Sequence, residues 1–204
     1  MPTPTRPTRL TDLKRAAILE AAIDEFRSAG YEATSMDRIA ARAEVSKRTV
    51  YNHFPSKEVL FIEIMHQLWE ASREGEELVY RPDLPLRDQL LELVGHKMRL
   101  LHGEAFVSLA RVAIAAAIHS PERAQAMVAR MNEREEGLTV WLRAAAADGR
   151  LKIDDPAFAA HQLQGLVKTF AFWPQITLGQ PPLRPKERKR VAESAVDMFL
   201  AWYA

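Results

Sequence analysis

The stretch Val45–Lys57, with the sequence VSKRTVYNHFPSK, determines how the N-terminal quarter of this chain folds. Ser46 is a favourable helix cap and Pro55 ends a helix, while Val50 and Phe54 lie four residues apart and therefore share one face. The remaining side chains are cations, hydroxyls, an amide and rings. These groups suit the phosphates and base edges of DNA better than a catalytic cleft, so the stretch predicts a DNA recognition helix.

Two patterns upstream of this stretch predict the helices that support it. Apolar residues recur at helical spacing from residue 11 onward, at Leu19, Ala22, Ile23 and Phe26. Gly30 then ends the first helix, and Thr34 with Asp37 resembles a capping pair that opens a second. After a break at Glu44, the recognition helix follows. Three helices over residues 11–57 therefore predict a helix-turn-helix unit.

The first ten residues, MPTPTRPTRL, contain three prolines and cannot form a helix or a buried strand. Residues 1–10 are therefore predicted to be a flexible arm, which Arg6 and Arg9 make basic. Such an arm can enter the minor groove of DNA beside a recognition helix, or it can be a solvated tail. Both interpretations remain open.

Composition excludes several classes of protein. The 204 residues are 48% hydrophobic and include no cysteine, which leaves room for a large core but excludes disulfides and thiolate metal sites. Nothing at the N-terminus has the apolar core of a secretory signal, and the longest apolar run, Val112–Ile118, is too short to span a membrane. A cytoplasmic protein without a membrane partner is expected. Residues 1–57 carry ten Lys and Arg against seven Asp and Glu, while the remainder carries eighteen against twenty.

Helical patterns continue to the end of the sequence, and no alternating strand pattern occurs. Helices are predicted over Lys57–Glu70, Arg87–His102, Glu104–His119, Pro121–Asp148, Pro156–Trp173 and Pro185–Tyr203. The two prolines of Arg81–Leu86 predict a loop. The expected architecture is all-α, with the three-helix unit followed by a larger helical domain at residues 58–204.

Many positions of the N-terminal quarter resemble the DNA-binding domain of TetR-type transcriptional regulators. The matching residues are Ile18–Ala22, Phe26, Gly30–Tyr31, Thr34–Met36, Ile39–Ala40, Val45–Ser46 and Thr49–Glu58. The C-terminal part is similar to AcrR- and AefR-like members at Ser120–Arg123, Trp141–Ala146 and Gly149–Leu151. The resemblance implies a second domain that binds a ligand and forms a dimer.

The DNA contacts are predicted from chemistry and resemblance together. Lys47 and Arg48, in the first turn of the recognition helix, are expected to contact base edges, since the guanidinium fork matches guanine. Hydroxyl, amide and ring groups nearby are expected to hold phosphates. These phosphate residues are Thr34, Ser35, Ser46, Thr49, Tyr51, Asn52, His53 and Lys57. Glu44 occupies a turn position where the family usually has glycine, at a cost of about 1 kcal/mol if its backbone is left-handed.

The second domain supplies candidates for a ligand pocket and a dimer interface. The pocket candidates are Met98, His102, Phe106, Arg111, Met127, Met131, Trp141, His161, Gln164, Lys168 and Trp173. The polar ones require partners, which are a ligand, an internal ion pair or solvent, and the apolar ones suit a core equally well. Two apolar stripes on the last helix suggest contact with a second copy. The interface candidates are Leu163, Phe170, Val191, Ala195, Met198 and Trp202.

The predicted function is a ligand-responsive homodimeric repressor that binds a palindromic operator and is released by a small hydrophobic or cationic effector. The alternative is a DNA-binding regulator without a small-molecule inducer. A helical enzyme is a remote alternative, because the six histidines are scattered and no HExxH, phosphate loop or nucleophile elbow occurs. No metal or cofactor is expected.

Overall fold

A computed structural model describes residues 10–73, 79–122, 124, 125, 129 and 137–204, and everything said below of the structure refers to them. Its helices are α1 (Leu10–Ala33), α2 (Met36–Arg42), α3 (Lys47–His53), α4 (Lys57–Arg73), α5 (Leu86–Leu101), α6 (Glu104–Ile118), α7 (Gly137–Ala147), α8 (Pro156–Ala171), α9 (Trp173–Leu178) and α10 (Pro185–Tyr203). These residues contain no strand. The predicted all-α class is confirmed.

The chain forms two compact units, one of residues 1–68 with 108–127 and the other of residues 69–107 with 128–204. Both α4 and α6 therefore contribute residues to each unit. In the first unit, most of the residues predicted to form the inner faces are buried, including Leu19, Ile39 and Val50, whereas Ile23 is half-buried. Three rings complete this core: Tyr31 stacks on Phe26 with ring centroids 5.3 Å apart and meets Phe61 edge-on at 5.0 Å.

Local signals set the ends of the short helices. Gly30, at φ 80°, interrupts α1 at the predicted position. Ser46 caps α3 as predicted, accepting a hydrogen bond from the Thr49 N–H at 3.1 Å. The predicted cap of α2 was wrong by one residue, because Ser35 and not Thr34 accepts the Arg38 N–H, at 3.3 Å.

The second unit packs α10 against α5 and α8, and α7 and α9 against α8. The predicted loop before α5 is fastened to the unit by polar contacts. Gln89 donates to the carbonyls of Arg81 and Leu84 at 2.8 and 3.1 Å, and Arg150 donates to those of Pro82 and Leu84 at 2.8 and 2.9 Å. These bonds satisfy loop carbonyls that no helix or strand can pair.

Several helix predictions differ from the structure or cannot be compared with it. Trp173–Leu178 forms a separate helix that the sequence patterns did not reveal, and buried Gln175 ties it to α8 through the Ala171 carbonyl. Leu10 was wrongly assigned to the arm, because it begins α1; the other residues of the predicted arm lie outside the described residues, as do Met127 and Met131. No single described helix is long and apolar enough to cross a membrane; only α5 and α6 taken together, bent by 73°, meet those criteria.

Candidate nucleic-acid interface

The recognition helix α3 is held by one face and exposed on the other. Val50 is fully buried and Phe54, just beyond the helix, is 2% exposed, so both anchor α3 to the core. At the start of α3 the Ser46 and Thr49 hydroxyls lie 2.8 Å apart. Seven residues are too few for a helix that is stable alone, so this anchoring and capping determine the direction of α3.

The outer face of α3 carries most of the predicted DNA-contact residues. Lys47, Arg48, Tyr51 and Asn52 are exposed, and Thr49 and His53 are half-buried. Tyr51 is a large aromatic ring that is 47% exposed. The arrangement brings two cations, an amide, two hydroxyls and two rings onto seven residues, which are groups that bind DNA phosphates and base edges.

The two residues predicted to contact bases have different surroundings. The Lys47 ammonium lies 2.5 Å from a carboxylate oxygen of Asp37, in the first turn of α2. Arg48 has no hydrogen-bonding or ionic partner among the described residues. Of the two side chains predicted to contact bases, Lys47 therefore already has an ionic partner, whereas Arg48 has none among the described residues.

The start of α2 separates the two hydroxyls that were predicted to contact phosphates. Ser35 is exposed at the cap of α2, beside N–H groups that an anion can approach. Thr34 is only 3% exposed, and its hydroxyl donates to the Gly30 carbonyl at 2.8 Å. The side chain of Thr34 thus stabilises the corner between α1 and α2, and its phosphate contact stays a prediction.

A buried carboxylate that was not singled out from the sequence fixes α2 to α1. Glu25 is 4% exposed, and its two oxygens each lie 2.7 Å from a guanidinium Nε, that of Arg42 and that of Arg38. The hydrogen bond from Arg42 is the main reason that the pKa of Glu25 is lowered. Because its partners lie 13 and 17 residues away, helical spacing could not reveal this cluster.

Lys57 also has an unexpected set of contacts. Its ammonium donates to the carbonyls of Tyr31, Glu32 and Thr34 at 2.8, 3.2 and 3.1 Å, and lies 4.4 Å from the Tyr31 ring centroid. An ammonium has three N–H donors, and all three are directed at the end of α1. Lys57 therefore stabilises the α1–α4 corner; its phosphate contact stays a prediction and would require these bonds to be exchanged.

The turn between α2 and α3 is a Schellman motif, in which two backbone bonds close the end of a helix. The Val45 N–H donates to the Ala40 carbonyl at 3.1 Å, and the Glu44 N–H to the Ala41 carbonyl at 3.3 Å. Glu44 has φ 53°, so it holds the left-handed position that favours glycine. The backbone of Glu44 is therefore left-handed, which is the conformation for which a cost of about 1 kcal/mol is expected.

In the second unit, the apolar pocket candidates divide between core and surface. Met98 and Trp141 are 3% and 2% exposed, and Trp141 meets the Tyr80 ring edge-on with centroids 5.4 Å apart. Phe106 is half-buried near Phe172, while Trp173 is 45% exposed. Met98 and Trp141 therefore contribute to core packing, and a pocket role for any of these residues stays a prediction.

The polar pocket candidates do not form one cluster. Arg111 belongs to the first unit, whereas the others belong to the second. His161 is exposed, and Lys168 donates to the Gln164 side chain at 2.8 Å along α8. His102 is half-buried; its Nδ1 lies 2.5 Å from the Met98 carbonyl, and burial lowers its pKa, which favours the neutral ring. Of this set, His102 has the most enclosed ring.

Large apolar side chains are exposed on both α8 and α10, but not all of the predicted interface residues are among them. Phe170, Met198 and Trp202 are 56%, 59% and 79% exposed. Leu163 and Ala195 were wrongly assigned to this surface, because they are 1% and 3% exposed and pack inside the unit. Val191 is half-buried. Phe158 on α8, at 58% exposure, was missed because its spacing also fits a core position.

A short helix with a polar outer face, fixed by two further helices and accompanied by a separate helical unit, defines a helix-turn-helix DNA-binding protein. Two family models agree with this class. "Bacterial regulatory proteins, tetR family" matches residues 18–64, and "AefR-like transcriptional repressor, C-terminal domain" matches residues 88–204. The chain belongs to the TetR family of transcriptional regulators.

Solved structures of the family extend over nearly the whole chain. A TetR family regulator from Pseudomonas syringae pv. tomato is 57% identical, with 95% of this chain and 98% of that chain covered at a TM-score of 0.85. The flavonoid-responsive regulator FrrA is 27% identical, with 92% and 95% covered at 0.68. The helix-turn-helix regulator YhgD of Bacillus subtilis is 38% identical over 77 residues, but the match spans only 40% of its length and 38% of this chain.

Proposed function

We propose that this regulator is a cytoplasmic homodimeric repressor that binds a palindromic operator through α3 and is released by a small hydrophobic or cationic effector. Residues 11–57 are the DNA-binding domain and residues 58–204 the ligand-binding and dimerisation domain, with the arm at residues 1–10 preceding them. The single observation that carries the proposal is the exposed polar face of α3 on a helix anchored by Val50 and Phe54.

Two classes of contact divide the work of DNA recognition. Lys47 and Arg48 contact base edges in the major groove, and their loss relaxes sequence preference. Exposed groups around them, Ser35, Ser46, Tyr51 and Asn52 foremost, hold the backbone and fix the position of α3. Thr49 and His53, which are half-buried, contribute from the edge of this face, while Thr34 and Lys57 mainly stabilise the corners of the unit.

A second copy of the chain supplies the second recognition helix. The exposed Phe158, Phe170, Met198 and Trp202 give α8 and α10 an apolar surface that suits another apolar surface, and a two-fold axis pairs each patch with itself. Two recognition helices related by that axis read an inverted repeat. Dimerisation is therefore required for operator affinity.

The effector binds within the second unit. His102, Phe106 and Trp173 offer a neutral imidazole and rings near the ends of α5 and α8, which suit a ligand with aromatic and hydrogen-bonding groups. The name of FrrA, a flavonoid-responsive regulator, gives a precedent for such a ligand in a structural neighbour. Effector binding shifts α4, whose residues belong to both units, and so changes the separation of the two recognition helices.

Selection of duplexes from a random DNA pool tests the first part of the proposal. We expect the selected sequences to converge on an inverted repeat, and convergence on a single half-site would contradict the dimer. A thermal-shift screen of hydrophobic and cationic compounds, followed by operator binding for each hit, tests the second part. If no compound both raises the melting temperature and weakens operator binding, the alternative of a regulator without a small-molecule inducer stands.

A further inference from the structure

Thr34 and Lys57 stand at the two ends of the helix-turn-helix segment, residues 35–56. Thr34 directly precedes the cap of α2, and Lys57 is the first residue of α4. The Lys57 ammonium donates to the Thr34 carbonyl at 3.1 Å, so a single side chain joins both ends of the segment. Its other hydrogen bonds, to the carbonyls of Tyr31 and Glu32, hold this junction against the end of α1.

The surroundings of this ammonium suit a cation. Carbonyls at the end of a helix lack a following turn to pair with, and the peptide dipoles favour a positive charge there. The Tyr31 ring adds a cation–π contact, with its centroid 4.4 Å from Nζ. Tyr31 itself is fixed in the core, at 6% exposure. The partners of Lys57 are therefore backbone atoms and a buried ring, which keep their positions better than the side chains of a surface ion pair.

We propose that Lys57 is a positioning residue, which closes the helix-turn-helix segment in place of the phosphate contact that the sequence predicts for it. This inference rests on the DNA contacts proposed for Ser35 and for α3. All three N–H groups of the ammonium are in use. A phosphate contact would have to replace at least one bond to the end of α1 and draw the ammonium away from the Tyr31 ring.

Closure matters because the helices that it joins are short. Helices α2 and α3 have seven residues each, too few to be stable alone, so their directions depend on how their ends are held. Ser35 directly follows the Thr34 carbonyl that Lys57 binds, and the end of α3 lies shortly before Lys57 in the chain. Loss of the ammonium should let the start of α2 move relative to α3. Since phosphate contacts are common to all duplexes, affinity should fall on every duplex while base preference stays.

Salt dependence distinguishes positioning from direct contact. Wild type and Lys57→Met are compared by fluorescence anisotropy over a series of KCl concentrations, on one selected operator and on one duplex of equal length without an inverted repeat. We expect Lys57→Met to bind both duplexes about 3- to 10-fold more weakly, with the slope of log K against log salt unchanged. A lysine that neutralises a phosphate contributes about 0.9 to that slope. A slope shallower by this amount would overturn the proposal, as would unchanged affinity.

Amide hydrogen exchange of the free protein gives a readout that a DNA contact would not change. In Lys57→Met we expect the amides of residues 35–42 to exchange at least about 3-fold faster, because local opening of α2 becomes easier. Peptides from the middle of α1, residues 15–26, should keep their protection. Unaltered exchange over α2 would overturn the proposal. A uniform increase over both helices would also do so, because Lys57 would then stabilise the whole unit without positioning α2.

Two further variants control for charge and for folding. Arg27→Met removes a cation from an exposed position on α1, where Arg27 pairs with Asp24 at 2.8 Å, and it should change neither affinity nor slope. Lys57→Gln keeps two N–H donors, without the charge, on a side chain that is one bond shorter. Melting temperatures establish which variants are folded. Lys57→Gln replaces Lys57→Met if the latter does not fold, with the same expected direction of every effect.

A double-mutant cycle with Ser35→Ala shows whether Lys57 acts through the start of α2. If it does, the two substitutions together should weaken operator binding by less than the product of their separate factors. Factors that simply multiply would overturn the proposal. If Ser35→Ala alone leaves operator affinity unchanged, the contact proposed for Ser35 is wrong and the inference falls with it. If Ser35→Ala weakens binding but Lys57→Met does not, only the role of Lys57 is overturned.

Discussion

Helices α3 and α10 both expose side chains outside the unit that they belong to, but large apolar side chains are exposed at the C-terminal end of α10, whereas the exposed side chains of α3 are polar. The outer face of α3 consists of Lys47, Arg48, Tyr51 and Asn52. That of α10 includes Met198 and Trp202. Polar groups on a folded surface form hydrogen bonds with water when no partner is bound. Large apolar side chains exposed to water raise the free energy of the unbound protein, and burial against a partner removes that cost. The two surfaces therefore predict partners of different chemistry.

DNA binding and dimerisation should therefore also differ in their dependence on salt concentration. Contacts to DNA release condensed ions, so they weaken steeply as salt rises. Burial of apolar surface on α8 and α10 releases none, so it should be nearly insensitive to salt over the same range. Measured together, the two dependences reveal whether DNA release at high salt reflects loss of phosphate contacts or dissociation of the dimer.

The largest effect is expected on the apolar side of this comparison. Trp202→Glu places a charge within the proposed interface, and we expect the dimer dissociation constant to rise at least about 100-fold. Analytical ultracentrifugation over a dilution series measures it. Leu178→Glu is the matched control, because Leu178 is 70% exposed on α9 and is not one of the residues assigned to the proposed interface. A Trp202→Glu protein that remains as dimeric as the control would show that another surface forms the dimer.

On the polar side, Arg48→Ala should have the next largest effect. Loss of a guanidinium that reads guanine should weaken operator binding about 10- to 100-fold and relax preference at one base position. Arg190→Ala removes the same charge from an exposed position on α10 and should change neither operator affinity nor base preference. Selection of duplexes from a random pool gives the base preference. Should Arg48→Ala weaken operator and non-operator duplexes by the same factor, Arg48 would be a phosphate contact.

These two regions also show how far sequence could lead. The bounds and cap of α3 followed from Ser46, Pro55 and the pair Val50 and Phe54, because a helix of two turns has only one face to bury. In α10 both stripes are apolar, and the residues that pack inside include the small Ala192 and Ala195, since small side chains let helices approach closely. Size and hydrophobicity therefore could not tell the inner stripe from the outer one.

Contacts between residues far apart in sequence form the other group that could not be predicted. In the sequence, Glu25 is one of several charged residues of α1, and only the fold shows that Arg38 and Arg42 lie beside it. Lys57 matches a phosphate-binding position of the family, but in the structure its ammonium binds backbone carbonyls at the end of α1. Spacing describes neighbours on one helix, whereas these contacts depend on how helices cross. The resemblance to a family gave the fold but no information about these pairs.

Glu25→Gln tests how firmly the reading surface is held. We expect it to lower the free energy of unfolding at neutral pH by about 2 kcal/mol, because two guanidinium groups lose a buried anionic partner. Urea denaturation measures this, and Glu20→Gln, an exposed carboxylate on the same helix, should have little effect. If loss of the Glu25 carboxylate also shifts α2, operator affinity of Glu25→Gln should fall as well. Equal stability of the two variants would show that solvent replaces the cluster without loss.

The pH dependence follows from the lowered pKa of Glu25 in the folded protein. The stability due to Glu25 is fully present above the pKa of the unfolded chain, about 4.3, and is lost as pH falls through the lower folded pKa. The difference between wild type and Glu25→Gln should therefore be constant from neutral pH down to about 5 and shrink below it. A difference that grows on acidification would mean that Glu25 is protonated in the folded state.

The smallest expected effect lies in the turn that joins α2 to α3. Glu44 occupies the left-handed position of a Schellman motif, and the chain forms the same motif after α7, where Gly149 takes that position at φ 72°. Glu44→Gly should raise the free energy of unfolding by about 0.5 to 1 kcal/mol, since it removes the Cβ strain but frees the unfolded chain. Urea denaturation of both variants measures it.

Glu44→Ala separates backbone strain from charge, because it removes the carboxylate and keeps the Cβ. If strain dominates, the Glu44→Gly variant is more stable than the Glu44→Ala variant, and Gly149→Ala lowers the free energy of unfolding by a similar amount. Operator binding of Glu44→Gly should be intact or improved, since an anion near the phosphates is gone. If Ala and Gly at position 44 are equally stable, the left-handed turn carries no strain and the departure from glycine has no cost to the fold.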